Sequence, residues 1–370
     1  MSSEPSLLNV FRPDVRAMQA YHVQDAAGFV KLDAMENPFT LPPALQDALG
    51  ARLGGLALNR YPGTRIQDLQ AALRVHAGIP SDMGLVLGNG SDELISLLSV
   101  ACAQPAATVM APVPGFVMYA MAAQLAGLRF VGVPLTPDFE LDAAAMLEAV
   151  HEHRPAITYI AYPNNPTANL WDDTAIEQVV EAVGKRGCGL VIIDEAYQPF
   201  ASRSYLGRLP QRPHVLLMRT LSKFGLAGVR LGYLVGRADL IAQVDKVRLP
   251  YNISVLNAEA ALFALEHADE FERQATTIKA ERERLMAALA TMPGARAYPS
   301  QANMVLVRVA DAAGVFAALK ARGILIKNVA GLHELLANCI RLTVGTAAEN
   351  DALIAALSGL LGDALNPDIA

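Results

Sequence analysis

The residues of this 370-residue chain best suited to chemistry gather around Lys223. In the run LLMRTLSKFGLAGVRLGY (216–233) the lysine follows an apolar stretch and Ser222, and precedes small residues and Arg230. A lysine partly removed from water and close to a cation has a lowered pKa and offers a free, nucleophilic amine. Read alone, Lys223 is a solvated lysine at a strand end; the other pieces tip the balance. VIIDEAY (191–197) places Asp194 and Glu195 at the end of an apolar strand. The carboxyl ends of parallel strands border the crevice where ligands bind. The same pattern suits the acid of an NTPase, but the GxxxxGK[ST] loop that would accompany it is missing. Tyr197 is either a phenol donor to a ligand or a rim tyrosine.

GNGSDE (88–93) reads as a strand end, a glycine turn and a helix capped near Ser91. Such a turn gathers free N–H groups and the positive end of a helix, which suits a phosphate. Gly90, Ser91 and Asp92 would supply amides or the hydroxyl, and Ser222 and Arg230 further donors, the guanidinium in bidentate fashion. A dinucleotide fold would need a third glycine, and simple helix capping is the plainer alternative. Asn165 in PNNPT (163–167) is an amide donor or an ordinary Asn-Pro turn. Phe116 in PVPGF could stack on a flat ligand or pack in a core. An amine to form an imine, an acid for a ring nitrogen, donors for a phenolate, a stacking group and a phosphate cradle are together what pyridoxal 5′-phosphate (PLP) requires. His151 and His153 are two apart, so they sit on different faces of a helix, and HExxH is absent. No metal is expected.

These residues need a framework. From residue 84 the chain alternates apolar strands with helices, the signature of a mostly parallel sheet in an α/β fold. Helices are expected at 42–53 and 66–76, and Lys31–Phe39 is expected to be extended or turning. The stretch 248–292 reads as nearly continuous helix, with the charged run KAERERL on a solvated face. Beyond Pro293-Gly294 come a strand at 304–309, a helix at 315–322, the strand ILIKNV (324–329), the strand NCIRLTVG (338–345) and a terminal helix at 349–361. Expected domains are an N-terminal arm with part of the small domain (1–54), a large PLP-binding domain (55–265) and a smaller C-terminal α+β domain (266–370).

The hydrophobic share, 53%, supports large cores, while the aromatic share is only 6%. Acidic residues (36) outnumber basic ones (30), giving a formal charge of −6 with no basic run, so nucleic acid is not an expected partner. Cys102, Cys188 and Cys339 are far apart, which suits a reducing cytoplasm. There is no signal pattern at the start and no apolar run of membrane-spanning length.

With ENPF, RYPG, GNGSDE, PGF, PNNPT, DEAY, RTLSKFGLAGVRLGY, RLPYN and LLANCIRLTVGT in order, the chain resembles the fold-type I PLP aminotransferases, of the aspartate aminotransferase-like class. Within them it is most similar to the histidinol-phosphate aminotransferase family. The resemblance implies Lys223 as the Schiff-base lysine and proton carrier, Asp194 at the pyridine nitrogen, and Tyr197 and Asn165 at the phenolate. It implies Ser91, Asp92, Ser222 and Arg230 at the phosphate, Thr220, Gly90 and Phe116 as further cofactor contacts, and Tyr61 reaching the phosphate of a neighbouring subunit in a homodimer. Arg341 would grip the anionic end of the substrate, with Tyr21, Asn165, Asn303 and Lys327 lining its pocket. Two departures stand out: Phe116 where relatives often carry tyrosine, and Lys327 where many carry a second arginine, a point charge in place of a planar fork. The implied reaction transfers the amino group of histidinol phosphate to 2-oxoglutarate. Its rivals are aromatic amino acid transamination, decarboxylation of threonine phosphate, and a non-catalytic PLP-binding regulator. The last needs a DNA-binding domain for which the first 50 or so residues are too few.

Overall fold

The computed structural model describes residues 7–20, 24–187 and 189–363; Tyr21 and Cys188 lie outside them. In the N-terminal part, helix α1 (Pro13–Ala17) and strand β1 (Val30–Lys31) precede helices α2 (Pro43–Gly54) and α3 (Arg65–Ala77). Proline at the first turn starts α2, where its missing N–H costs nothing, and left-handed Gly78 ends α3.

The strand–helix alternation then follows: β2 (Met83–Gly88), α4 (Ser91–Ala101), β3 (Thr108–Val113), α5 (Met118–Leu125), β4 (Arg129–Pro134), α6 (Ala143–His153), β5 (Ile157–Ala161), α7 (Asp173–Arg186), β6 (Leu190–Asp194), β7 (Val215–Thr220) and β8 (Gly232–Arg237). Asp142 and Asp172 cap α6 and α7 by accepting from the amides of Ala145 and Ala175. The seven strands form one sheet in the order β2-β8-β7-β6-β5-β3-β4. Only β8 runs against its neighbours; the other pairings are parallel, as the apolar runs require. Helices cover both faces, burying β5, β6 and β7 almost completely.

After β8 comes α8 (Ala238–Asp245), which the sequence reading did not anticipate. The expected continuous helix over 248–292 is two: α9 (Val255–Glu266), capped by Ser254, and α10 (Ala268–Ala290). His267 breaks them, with φ −117°, and residues 248–254 are not helical. The charged run on α10 is not wholly solvated either. Arg282 is buried and donates to the carbonyls of Phe200 and Ala302.

The C-terminal part contains β9 (Arg296–Ala297), β10 (Met304–Arg308), α11 (Ala312–Ala321), β11 (Ile324–Leu325), β12 (Lys327–Asn328), β13 (Cys339–Thr343) and α12 (Ala347–Asp363). ILIKNV is therefore split. Its first half pairs in parallel with β1, and its second half joins the four-stranded sheet β12-β13-β10-β9. Buried Leu32 and Met35 pack with Met304, Ile326 and Leu342, so the segment after β1 belongs to this second core.

Candidate active site

The carboxyl ends of β2, β5, β6 and β7 reach the same edge of the large sheet, where β8 begins. There they border a cavity of about 340 Å³. Its wall contains Ser91, Asp92, Phe116, Asn165, Asp194, Tyr197, Thr220, Ser222, Lys223 and Arg230, contributed by segments more than a hundred residues apart.

Lys223 stands three residues past the end of β7, in a single π-helical turn (Ser222–Leu226), not on the strand itself. Its Nζ donates to the Ala34 carbonyl at 3.1 Å and lies 5.9 Å from the centre of the Tyr197 ring. Desolvation lowers its pKa to about 8; Arg341 and Arg230 push the same way, while Glu36 and Asp92 oppose. Roughly a tenth of this amine is consequently unprotonated at pH 7, far more than for an ordinary lysine.

Asp194 closes β6 and is buried. Its Oδ2 accepts from the Tyr119 hydroxyl at 2.6 Å and its Oδ1 from the Ala196 amide at 3.0 Å. Burial raises its pKa to about 6 despite those two bonds, so it is mainly ionised at neutral pH. Tyr119 is held by stacking on Tyr159, centroids 4.2 Å apart, with Phe116 edge-on to it at 5.6 Å. Tyr119 was missed in the sequence. It lies in α5, far along the chain from the acid it serves, and carries no local mark of that role.

At the cradle, helix α4 begins with Gly90 as N-cap and Ser91 as its first residue; Ser91 is not the cap, and its hydroxyl is not spent on one. Gly90 has φ 81° and ψ 170°, a conformation open essentially to glycine, and a Cβ there would lie 2.4 Å from the Arg230 guanidinium. Arg230 itself is left-handed, φ 53°. It donates to Ser222 Oγ at 3.2 Å and sits 3.3 Å from Asp92. Thr220 Oγ1 donates to the same Ser222 oxygen at 3.0 Å. Gly232 allows the close approach of β8, since a Cβ there would meet the Ser91 amide at 2.7 Å.

Arg341, on β13, is buried behind this wall and does not line the cavity. It donates to Asn165 Oδ1 at 2.8 Å and to the Asp33 carbonyl at 2.7 Å. Lys327 pairs with Arg341 across β12 and β13, which places both on one face of the small sheet. Asn303 is fully buried and also absent from the cavity wall, against its expected place in the pocket; it donates to the Met35 carbonyl at 3.0 Å. Tyr61 lies away from the cavity, 73% exposed and stacked on Tyr251 with centroids 4.0 Å apart.

A buried acid, a desolvated lysine and a helix N-terminus overlaid by arginine thus share one cavity. The sequence matches the family described as aminotransferase class I and II over residues 27–357. The chain belongs to the class I and II aminotransferases. It is similar to the histidinol-phosphate aminotransferase of Methylibium petroleiphilum, at 70% identity over 96% of each chain. To that of Acidovorax ebreus it is 64% identical over 97% of this chain and 99% of the relative. The solved structure of histidinol-phosphate aminotransferase from Sinorhizobium meliloti in complex with PLP is 27% identical, with a TM-score of 0.82 over 96% of this chain and 98% of that one. Aminotransferases of this class use PLP, and the donor set fits it. The cavity offers a buried acid (Asp194) suited to a ring nitrogen, an amine (Lys223), and at the α4 N-terminus, with Ser91, Ser222 and Arg230, donors suited to a phosphate.

Proposed function

We propose that the chain transfers the amino group of L-histidinol phosphate to 2-oxoglutarate, giving imidazole acetol phosphate and L-glutamate, as in histidine biosynthesis. The carrying observation is that Lys223, Asp194 and the Arg230 cradle line one cavity with the guanidinium of Arg341 directly behind it. The substrate assignment rests on similarity to relatives that bear this enzyme's name over almost their whole length.

Bound PLP supplies an aldehyde that condenses with amines and a ring that draws electrons from the substrate Cα. The chain's residues do the rest. Lys223 Nζ would serve as the base that takes the proton from the substrate Cα and as the acid that returns it, which its lowered pKa permits near neutrality. Asp194 remains ionised and holds the ring nitrogen protonated, while Tyr119 and the Ala196 amide hold Asp194. Tyr197 and the amide nitrogen of Asn165 serve the phenolate oxygen. Arg341 accepts the phosphate of one substrate and a carboxylate of the other, with Lys327 adding charge on the same face.

The active species is a homodimer in the cytoplasm, with Tyr61 reaching the partner's cofactor phosphate. The exposed Tyr61–Tyr251 stack, flanked by exposed Leu58 and Leu249, supports an apolar contact there. Residues 55–265 and 266–370 form the two domains, with 1–54 as the arm and part of the smaller one.

The test compares turnover of histidinol phosphate and phenylalanine with 2-oxoglutarate. Ping-pong kinetics with a clear preference for the phosphate ester is expected. Preference for phenylalanine, or release of CO₂ from threonine phosphate without a keto acid, would overturn the assignment. Borohydride reduction of the holoenzyme should tag the peptide that carries Lys223.

A further inference from the structure

Four hydrogen bonds converge on three consecutive residues of the N-terminal segment. The Asp33 carbonyl accepts from Arg341 at 2.7 Å, and the Ala34 carbonyl from Lys223 Nζ at 3.1 Å. The Met35 amide donates to Thr343 Oγ1 at 3.0 Å, and the Met35 carbonyl accepts from Asn303 Nδ2 at 3.0 Å. The two bonds at Asp33 and Ala34 go to the cations of the proposed reaction, the two at Met35 to buried neutral side chains of the small sheet and its edge. Met35 is left-handed, φ 52°, a conformation that is unfavourable for a residue with a Cβ and persists where its surroundings enforce it.

The two neutral side chains have no other polar work. Among the described residues Thr343 Oγ1 makes no other hydrogen bond and Asn303 Oδ1 is buried without a partner. A buried amide with one end unsatisfied is costly, so the bond that it does make matters.

We propose that Asn303 and Thr343 are positioning residues that clamp Met35 in its strained conformation, so that the carbonyls of Ala34 and Asp33 hold the Lys223 amine and the Arg341 guanidinium at the cavity. Neither residue touches the cavity, and both act through the strap 33–35. One short turn of backbone then sets the proton carrier and the anion grip relative to each other. The role of the two cations rests on the transaminase reading above; the placement of the Lys223 amine does not.

The test is Thr343→Val, which keeps the shape and removes the hydroxyl, with Thr343→Ser as the conservative partner. The first readout uses full-length apoprotein stripped of PLP: the pH midpoint for acetic anhydride labelling of Lys223. The charged groups acting on that amine are Arg341, Arg230, Glu36 and Asp92, and none is altered. A carbonyl that accepts from the ammonium favours the charged form, so its loss should lower the midpoint by about half a unit or more in the valine variant. Serine should restore it. The second readout is the holoenzyme, in which both Michaelis constants should rise about fivefold or more as Arg341 loses its support. A folded valine variant with an unchanged labelling midpoint overturns the proposal, whatever the substrate proves to be. If the valine variant does not fold, Asn303→Ala undergoes the same two measurements with the same criteria. A shifted midpoint without turnover of histidinol phosphate by the parent protein would instead sink the substrate assignment and leave the clamp standing.

Discussion

Tyr119 decides how well Asp194 can do its work. Its hydroxyl gives the buried carboxylate a charge-assisted hydrogen bond, of a kind worth about 1.5–3 kcal/mol. Tyr119→Phe keeps the stack on Tyr159 and loses that bond. Equilibrium dialysis should show PLP held roughly 10- to 100-fold more weakly; an unchanged affinity would mean that the tyrosine does not support the acid. Asp194 itself presents a conflict between stability and function. Its pKa is raised from 3.8 to about 6, so between these values the folded apoprotein binds more protons than the unfolded chain. Stability from this group therefore falls as pH rises through that window and stays low above it. Asp194→Asn removes the ionised form, while its amide can still meet the Ala196 N–H and the Tyr119 oxygen. Apoprotein melting at neutral pH should show a gain on the order of 2–3 kcal/mol, together with loss of turnover by at least about 100-fold. Arg341→Ala should raise the Michaelis constants of both substrates by roughly 10-fold or more. A change in one alone would refute its dual role.

At the level of elements, the proposed phosphate cradle depends on a turn that only glycine fits. Gly90 carries the chain from β2 into α4 at φ 81° with the Arg230 guanidinium packed against its Cα. Gly90→Ala must distort the turn or expel the arginine. Thermal melts of the apoprotein should show a loss of roughly 1–3 kcal/mol, and PLP affinity should fall with it. A stable variant with normal affinity would show that the cradle lies elsewhere. GNGSDE was legible as a glycine turn before a helix because turn chemistry is local. The break at His267 was not, since an apolar, alanine-rich run carries helix propensity through a point where only packing bends the chain.

At the scale of the whole molecule, the outstanding feature is apolar surface around Tyr61 and Tyr251, exposed at 73% and 58%. If a second copy covers it, Tyr61→Ala should shift sedimentation toward monomer and make specific activity depend on protein concentration. Parent and variant with identical sedimentation would remove this surface from the interface. The membrane question is simpler: among the described residues no helix is long and apolar enough to cross a bilayer.

The amino-acid sequence by itself determined the strand–helix alternation, the glycine turn and the identities of the lysine, acid and arginine that line the cavity. Each of these is written in a few adjacent residues, as apolar periodicity or turn chemistry. Tertiary structure alone decided that Tyr119 supports Asp194, that Arg341 and Asn303 sit behind the wall, and that the strap at Met35 touches both cations. Those contacts join residues 75 to more than 300 positions apart. Nothing in the local sequence marks them, because hydrogen-bond geometry across a fold exists only after the sheets have packed.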